Sequence, residues 1–147
     1  MNNSSPIPLG YSTWDNEELQ ELQKVIESGF FTMGPKVKEF EDKFAQYHQS
    51  KFCVMVNSGS SANFLMLASL FFKKNGKNLK PGDEIIVPAV SWSTTYSPLY
   101  YLGLKLRFVD INIDTLNINV DLIEKAITKN TKAIFAVNLL GNSADYE

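Results

Sequence analysis

An α/β fold, a mostly parallel sheet flanked by helices, is what this sequence predicts. Short apolar runs at residues 52–56, 84–87, 105–109 and 133–137 have the length and the Val, Ile and Phe content of buried strands. Runs of helical length separate them, one at 60–73, one ending at Leu102 and one at 120–128. Turn residues punctuate the joins, with Pro81-Gly82-Asp83 before one strand and Gly103 before the next. Strand and helix therefore alternate from residue 52 onward, the pattern of right-handed βαβ units. Residues 1–51 precede this as an extended segment and two helices, so the chain divides into 1–51 and an α/β domain over 52–147. No closing element follows the Gly141-Asn142-Ser143 turn, and the second domain is expected to be incomplete. At 147 residues and 44% hydrophobic, the chain is long enough to build a core.

Residues 1–13 read as extended, because Pro6 and Pro8 block a helix. Residues 15–27 read as a helix. Leu19, Leu22, Val25 and Ile26 recur at helical spacing, Asp15, Glu17 and Glu18 suit the positive first turn, and Thr13 or Asp15 stands ready to cap it. Gly29 is a C-terminal stop. Phe30-Phe31-Thr32-Met33-Gly34-Pro35 is an apolar loop whose aromatics must be buried, either on the core or around a pocket. Residues 36–48 form a second helix with Val37, Phe40, Phe44 and Tyr47 on one face. Residues 52–56 are a strand, 60–73 a largely buried third helix, and 73–78 a basic surface turn. Residues 84–87 are the next strand, and the loop after Pro88 leads into a helical run that Gly103 stops. A strand at 105–109, a polar connection at 110–119, a short helix at 120–128 and a last strand at 133–137 complete the order.

Several functional classes are disfavoured. The net charge is −2 with both signs interspersed, so no basic stripe points to nucleic acid. Cys53 is the only cysteine and falls in an apolar run, which predicts a buried, inert thiol and no disulfide framework. His48 has no second histidine with which to make a zinc pair. Asp110, Asp114 and Asp121 lack a calcium-loop pattern and read as solvated turn residues. No G-x-G-x-x-G or G-x-x-x-x-G-K-[ST] occurs. The first residues lack a signal-peptide pattern, and no apolar run approaches the roughly 20 residues that span a bilayer. A cytoplasmic protein with no membrane span is the expectation.

Chemistry is expected beyond the carboxyl ends of the strands, where ligands collect in open α/β sheets. Asn57-Ser58-Gly59-Ser60-Ser61 joins the first predicted strand to a helix. Unpaired amides and the helix dipole make such a turn an anion site, with the Ser60 and Ser61 hydroxyls as further donors. A polar turn with a serine N-cap explains the same residues. Trp92 follows the second strand and offers a flat face to a planar ring, or is a core aromatic. Thr94 and Thr95 read equally as ligand contacts or helix-start residues, and Asn138 as a turn residue. A phosphate turn beside a stacking ring suits pyridoxal phosphate or flavin mononucleotide. The two helices before Phe52 argue against a flavodoxin-like protein.

The combined motifs resemble the DegT-type family of nucleotide-sugar aminotransferases. The matching stretches are Gly34-Pro35-Lys36-Val37 with Phe40-Glu41, Asn57-Ser58-Gly59-Ser60-Ser61-Ala62-Asn63, Gly82-Asp83-Glu84-Ile85-Ile86-Val87-Pro88-Ala89, Phe108-Val109-Asp110-Ile111, Thr131-Lys132-Ala133-Ile134 and Asn138-Leu139-Leu140-Gly141. Phe31-Thr32-Met33-Gly34, Ser60-Ser61-Ala62-Asn63 and the run from Pro88 through Trp92 to Tyr96 look closest to the GDP-4-keto-6-deoxymannose 3-dehydratase branch.

The resemblance implies the amino-terminal portion of the large domain of a fold-type I pyridoxal 5′-phosphate enzyme. Gly59 and Ser60 would hold the cofactor phosphate, with the Ser61 amide adding to the site. Trp92 would stack on the pyridine ring, and Thr32 and Met33 would lie near the sugar. The Schiff-base lysine of the aminotransferases, or the histidine that replaces it in the dehydratases, would lie beyond Glu147, which leaves no catalytic residue in this chain. A nucleotide-linked 4-keto-6-deoxy sugar, glutamate as amino donor and a homodimer of the full-length protein are the implied partners, in deoxy- or amino-sugar synthesis for lipopolysaccharide O-antigen. A truncated, non-catalytic remnant or binding module of the same fold is the alternative expectation.

Overall fold

The computed structural model describes residues 10–74 and 76–146. The expectations for Pro6 and Pro8, and for Asn75 in the basic turn, lie outside the described residues. The chain forms two compact units, Met1–Met55 and Val56–Glu147.

The second unit is built on β1 (Glu84–Pro88), whose Ile85, Ile86 and Val87 are completely buried. β1 pairs in parallel with β2 (Lys105–Val109) on one side and with β3 (Thr131–Ile134) on the other, giving the order β2-β1-β3. Alternation along β1 sends Ile85 and Val87 to one face and Ile86 to the other. The first face packs on Leu67 of α3 (Gly59–Ser69) and Leu99 of α4 (Ser93–Tyr101). The second packs against Val109, Ile118 and the apolar side of α5 (Val120–Ala126). The parallel three-layer arrangement is the one the alternation predicts.

Pro88 explains where the sheet stops. The expected last strand, 133–137, is assigned as Thr131–Ile134, although the Phe135 amide still donates to Ile86 O at 2.8 Å. The next donor in that parallel ladder falls on residue 88, and proline has no N–H. Tyr96 Oη donates instead to the Pro88 carbonyl at 2.9 Å. On the β2 side the ladder runs past Pro88, with Ala89 N–H donating to Val109 O at 2.7 Å.

Other expectations are corrected here and before α3. Residues 52–56 form neither helix nor strand and have no ladder partner among the described residues. Phe52 is 77% exposed and Cys53 half-buried rather than buried. The third helix ends at Ser69, not at residue 73, and Leu67 is its only buried residue. Its last turn tightens: the amides of Leu70, Phe71 and Phe72 donate three residues back. That leaves the Leu70 carbonyl to accept from Leu79 N–H at 3.0 Å, which folds the basic turn back on the helix. The expected turn at 138–142 contains a short 3₁₀ segment, Leu139–Gly141, with Leu140 at φ 54°.

In the first unit, α1 (Asn16–Ser28) starts at an Asp15–Glu18 capping box and ends at Gly29 in the left-handed region, φ 68°. α2 (Pro35–Tyr47) begins with Pro35 in its first turn. Lys36 Nζ reaches Glu21 at 2.7 Å, which ties α2 to α1. Gly34 between them lets the Phe30 ring lie against the backbone, and a Cβ there would force that ring to move. Leu19, Leu22 and Ile26, the apolar stripe of α1, are exposed.

Candidate functional site

The start of α3 is both a capped helix and a donor site. Ser58 is extended at φ −162°, and its Oγ accepts the Ser61 amide at 3.1 Å. The Ser61 hydroxyl donates to Asn57 Oδ1 at 2.7 Å and accepts from Ser58 Oγ at 3.2 Å. The first intrahelical bond is Ala62 N–H to Ser58 O at 3.0 Å. The serine-cap reading therefore holds, and it uses the Ser61 amide that the resemblance assigns to a phosphate. The amides of Gly59 and Ser60, the first two of the helix, remain without intrahelical acceptors. Among the described residues the Ser60 hydroxyl makes no hydrogen bond. Nothing lies within 4 Å of the place a Cβ on Gly59 would take, so an incoming oxygen has open access to that backbone.

α4 starts beside it. Trp92 occupies the N-cap position with a backbone of φ −74° and ψ 149° and makes no side-chain cap. Its carbonyl accepts the Thr95 amide at 2.9 Å, and Ser91 Oγ and Thr95 Oγ1 share a hydrogen bond of 2.8 Å. The indole is 74% exposed, which removes the core-aromatic reading and leaves a free ring face. Thr94 and Thr95 are both helix-start residues. Tyr96, whose hydroxyl is bound to Pro88 O, is pushed above the usual tyrosine range by burial and stays protonated at neutral pH.

Between α3 and α4 runs an open groove of about 290 Å³, lined among others by Ser60, Ser61, Phe64, Thr94, Ser97 and Tyr101. Each helix contributes hydroxyls and one aromatic ring to the lining, Ser60, Ser61 and Phe64 from α3 and Thr94, Ser97 and Tyr101 from α4. Trp92 is not part of that lining. Thr32 and Met33 belong to the first unit: Thr32 borders a cavity of about 440 Å³ with Val25, Phe30, Phe31 and Val37, while Met33 is exposed. Asn138 is a turn residue, its Oδ1 accepting from Ala144 N–H at 3.0 Å and from Tyr146 Oη at 2.6 Å. No group of metal-ligating side chains occurs among the described residues.

Two residues escaped the sequence reading. Asn63 lay within a quoted motif without a role; its Nδ2 donates to Thr94 O at 3.3 Å, joining α3 to α4. The signal was Pro98, which falls inside the helical run and frees a carbonyl. Asn117 lay in the polar connection at 110–119. It is 3% exposed, accepts Leu139 N–H at 3.1 Å, and donates to the carbonyls of Asn142 and Ser143 at 3.0 and 2.9 Å.

The donors present fit a phosphate-bearing ring. Two free amides, a free hydroxyl and the positive helix end suit the phosphate, and an exposed indole suits the ring. Lys73, Lys74 and Lys105 lie at exposed loop or strand-start positions.

The chain is similar to proteins of known activity. It is 59% identical over 141 residues to GDP-4-keto-6-deoxy-D-mannose 3-dehydratase of Yersinia pseudotuberculosis, covering 96% of this chain and 36% of that protein. It is 56% identical to the enzyme of the same name from Escherichia coli O55:H7, again over 36% of its length. A crystal structure of GDP-4-keto-6-deoxymannose-3-dehydratase with a trapped PLP-glutamate geminal diamine superposes with a TM-score of 0.91 at 55% identity, over 96% of this chain and 36% of that one. The chain thus spans about a third of the length of these relatives, and its α/β architecture is that of a fold-type I pyridoxal phosphate enzyme. Residues 12–147 match the DegT/DnrJ/EryC1/StrS aminotransferase family, and the chain belongs to it.

Proposed function

We propose that this chain supplies the phosphate and ring contacts of a pyridoxal 5′-phosphate site in a nucleotide-sugar enzyme. The observation that supports the reading is the start of α3: the Gly59 and Ser60 amides and the Ser60 hydroxyl lie in its first turn without protein acceptors among the described residues, in a chain 55% identical to a cofactor-bearing structure. Ser61 contributes by bracing the turn through Asn57 and Ser58, and Trp92 presents its indole to the ring. The cofactor supplies an electron sink when bound.

The substrate class is a nucleotide-linked 4-keto-6-deoxyhexose, with glutamate as amino donor. The two relatives above carry 3-dehydratase names, and a 35% identical relative in Pseudomonas aeruginosa is a UDP-2-acetamido-2-deoxy-3-oxo-D-glucuronate aminotransferase. Dehydration at C-3 is favoured over amination by the higher identity to the dehydratases. A 41% identical relative in Salmonella typhimurium bears the name lipopolysaccharide biosynthesis protein RfbH, which supports a place in O-antigen synthesis. We assign residues 52–147 to the cofactor-binding domain, Thr32 and Met33 to the sugar side, and the full-length enzyme to a cytoplasmic homodimer. No helix among the described residues is long and apolar enough to cross a membrane.

Equilibrium dialysis of the purified chain against pyridoxamine 5′-phosphate tests the binding reading. That probe lacks the aldehyde that would react with surface lysines. One equivalent bound per chain, displaced by inorganic phosphate, is the expected result; no uptake above a pyridoxamine control contradicts it.

A further inference from the structure

We infer that Asn63 is a positioning residue: its side-chain amide replaces a hydrogen bond that Pro98 deletes, and thereby sets the start of α3 against the start of α4. The inference rests on the cofactor reading above. In an α-helix the amide of residue i donates to the carbonyl four residues earlier, so the Thr94 carbonyl is owed the N–H of residue 98. Pro98 lies inside α4, is buried, and has no N–H to give. Asn63 Nδ2 takes that place at 3.3 Å.

The bond joins the two elements that carry the proposed contacts. Asn63 is in the second turn of α3, whose first residues are Gly59 and Ser60, and Thr94 is in the first turn of α4, directly after Trp92 and Ser93. Apolar contact between the helices is non-directional and resists sliding weakly. A hydrogen bond at one fixed pair of residues sets the register, and with it the spacing between the phosphate donors and the indole. Alanine at 63 removes the donor, and aspartate replaces it with a second acceptor. Pro98→Ala returns an amide to the Thr94 carbonyl and makes Asn63 redundant, so the two substitutions are coupled in a way that packing alone does not produce.

The test is a double-mutant cycle of Asn63→Ala and Pro98→Ala in the 147-residue chain. Two quantities are read: the melting temperature, and pyridoxamine 5′-phosphate affinity from quenching of Trp92 in a Trp14→Phe background. With Pro98 present, Asn63→Ala should weaken binding roughly three- to tenfold and lower the melting temperature by roughly 4 °C. With Ala at 98, both losses should shrink to less than about half. Should Asn63→Ala fail to melt cooperatively, recovery of a cooperative melt in the double variant supports the inference, and no recovery overturns it. Equal losses in both backgrounds overturn it. A thermal coupling with unchanged affinity leaves only a structural bond and overturns the positioning role. If the unsubstituted chain takes up no probe, the cofactor reading falls and the positioning role falls with it, while the thermal cycle still decides whether the bond substitutes for the missing amide.

Discussion

At the scale of single residues, one turn carries two assignments that had looked exclusive. Ser58 caps α3 and engages Ser61, yet the Gly59 and Ser60 amides stay open, so the cap leaves room for the anion site proposed above. Ser60→Ala should weaken pyridoxamine 5′-phosphate binding roughly three- to tenfold by dialysis and leave the melting temperature in place, since its hydroxyl has no partner among the described residues to lose. An unchanged affinity contradicts the assignment. Asn117 is the opposite case. Its buried amide holds Leu139, Asn142 and Ser143, so Asn117→Ala leaves several polar groups unpaired. A loss of about 2–3 kcal/mol in urea unfolding is expected; a loss near zero contradicts it. The turn and cap at 57–61 were legible because Ser, Gly and Asn have strong turn chemistry. Asn117 was not, because its partners lie more than twenty residues away in sequence, and no local pattern reports them.

Elements were legible where the determinants are local. Of the two caps read for α1, Thr13 and Asp15, the structure uses Asp15 in a box with Glu18, while Gly29 stops α1 and Gly103 ends α4 as expected. Gly103 has φ +71°, and a Cβ there would meet Pro81 Cβ at 3.1 Å. Gly103→Ala should therefore cost more than about 1 kcal/mol in urea unfolding; a neutral substitution contradicts this backbone account. What failed was pairing. Residues 52–56 have a strand's composition, but a strand exists only with a partner for its ladder.

At the foot of β1, Glu84 accepts from Thr131 Oγ1 at 2.7 Å and Thr128 Oγ1 at 2.9 Å, with Arg107 Nη1 at 3.8 Å. The Thr131 hydroxyl above all holds this carboxyl below the usual range, against the opposing effect of desolvation. A carboxyl depressed by folding binds fewer protons folded than unfolded. Its contribution is in place above the ordinary glutamate value of about 4.3 and is lost as pH falls through the lower folded value. The melting temperature should fall in that acid window, and Glu84→Gln should reduce the slope; an identical slope contradicts the role.

For the whole molecule, the core of the second unit is a three-stranded parallel sheet covered on both faces, as the alternation of strand and helix required. Much apolar surface lies outside it: Leu19, Leu22 and Ile26 along α1, and Phe52 and Val54 before α3 are exposed. Such surface favours association. Sedimentation velocity of the isolated chain should show concentration-dependent self-association, and a monomer at every concentration contradicts this.

The central claim is that the start of α3 and the indole of Trp92 serve one ring-and-phosphate ligand. Its most direct test is Trp92 fluorescence in the Trp14→Phe chain during titration with pyridoxamine 5′-phosphate. Saturable quenching that inorganic phosphate reverses, and that Ser60→Ala shifts to higher ligand concentration, is the predicted result. Quenching that is linear in ligand, or indifferent to both phosphate and Ser60→Ala, would contradict it.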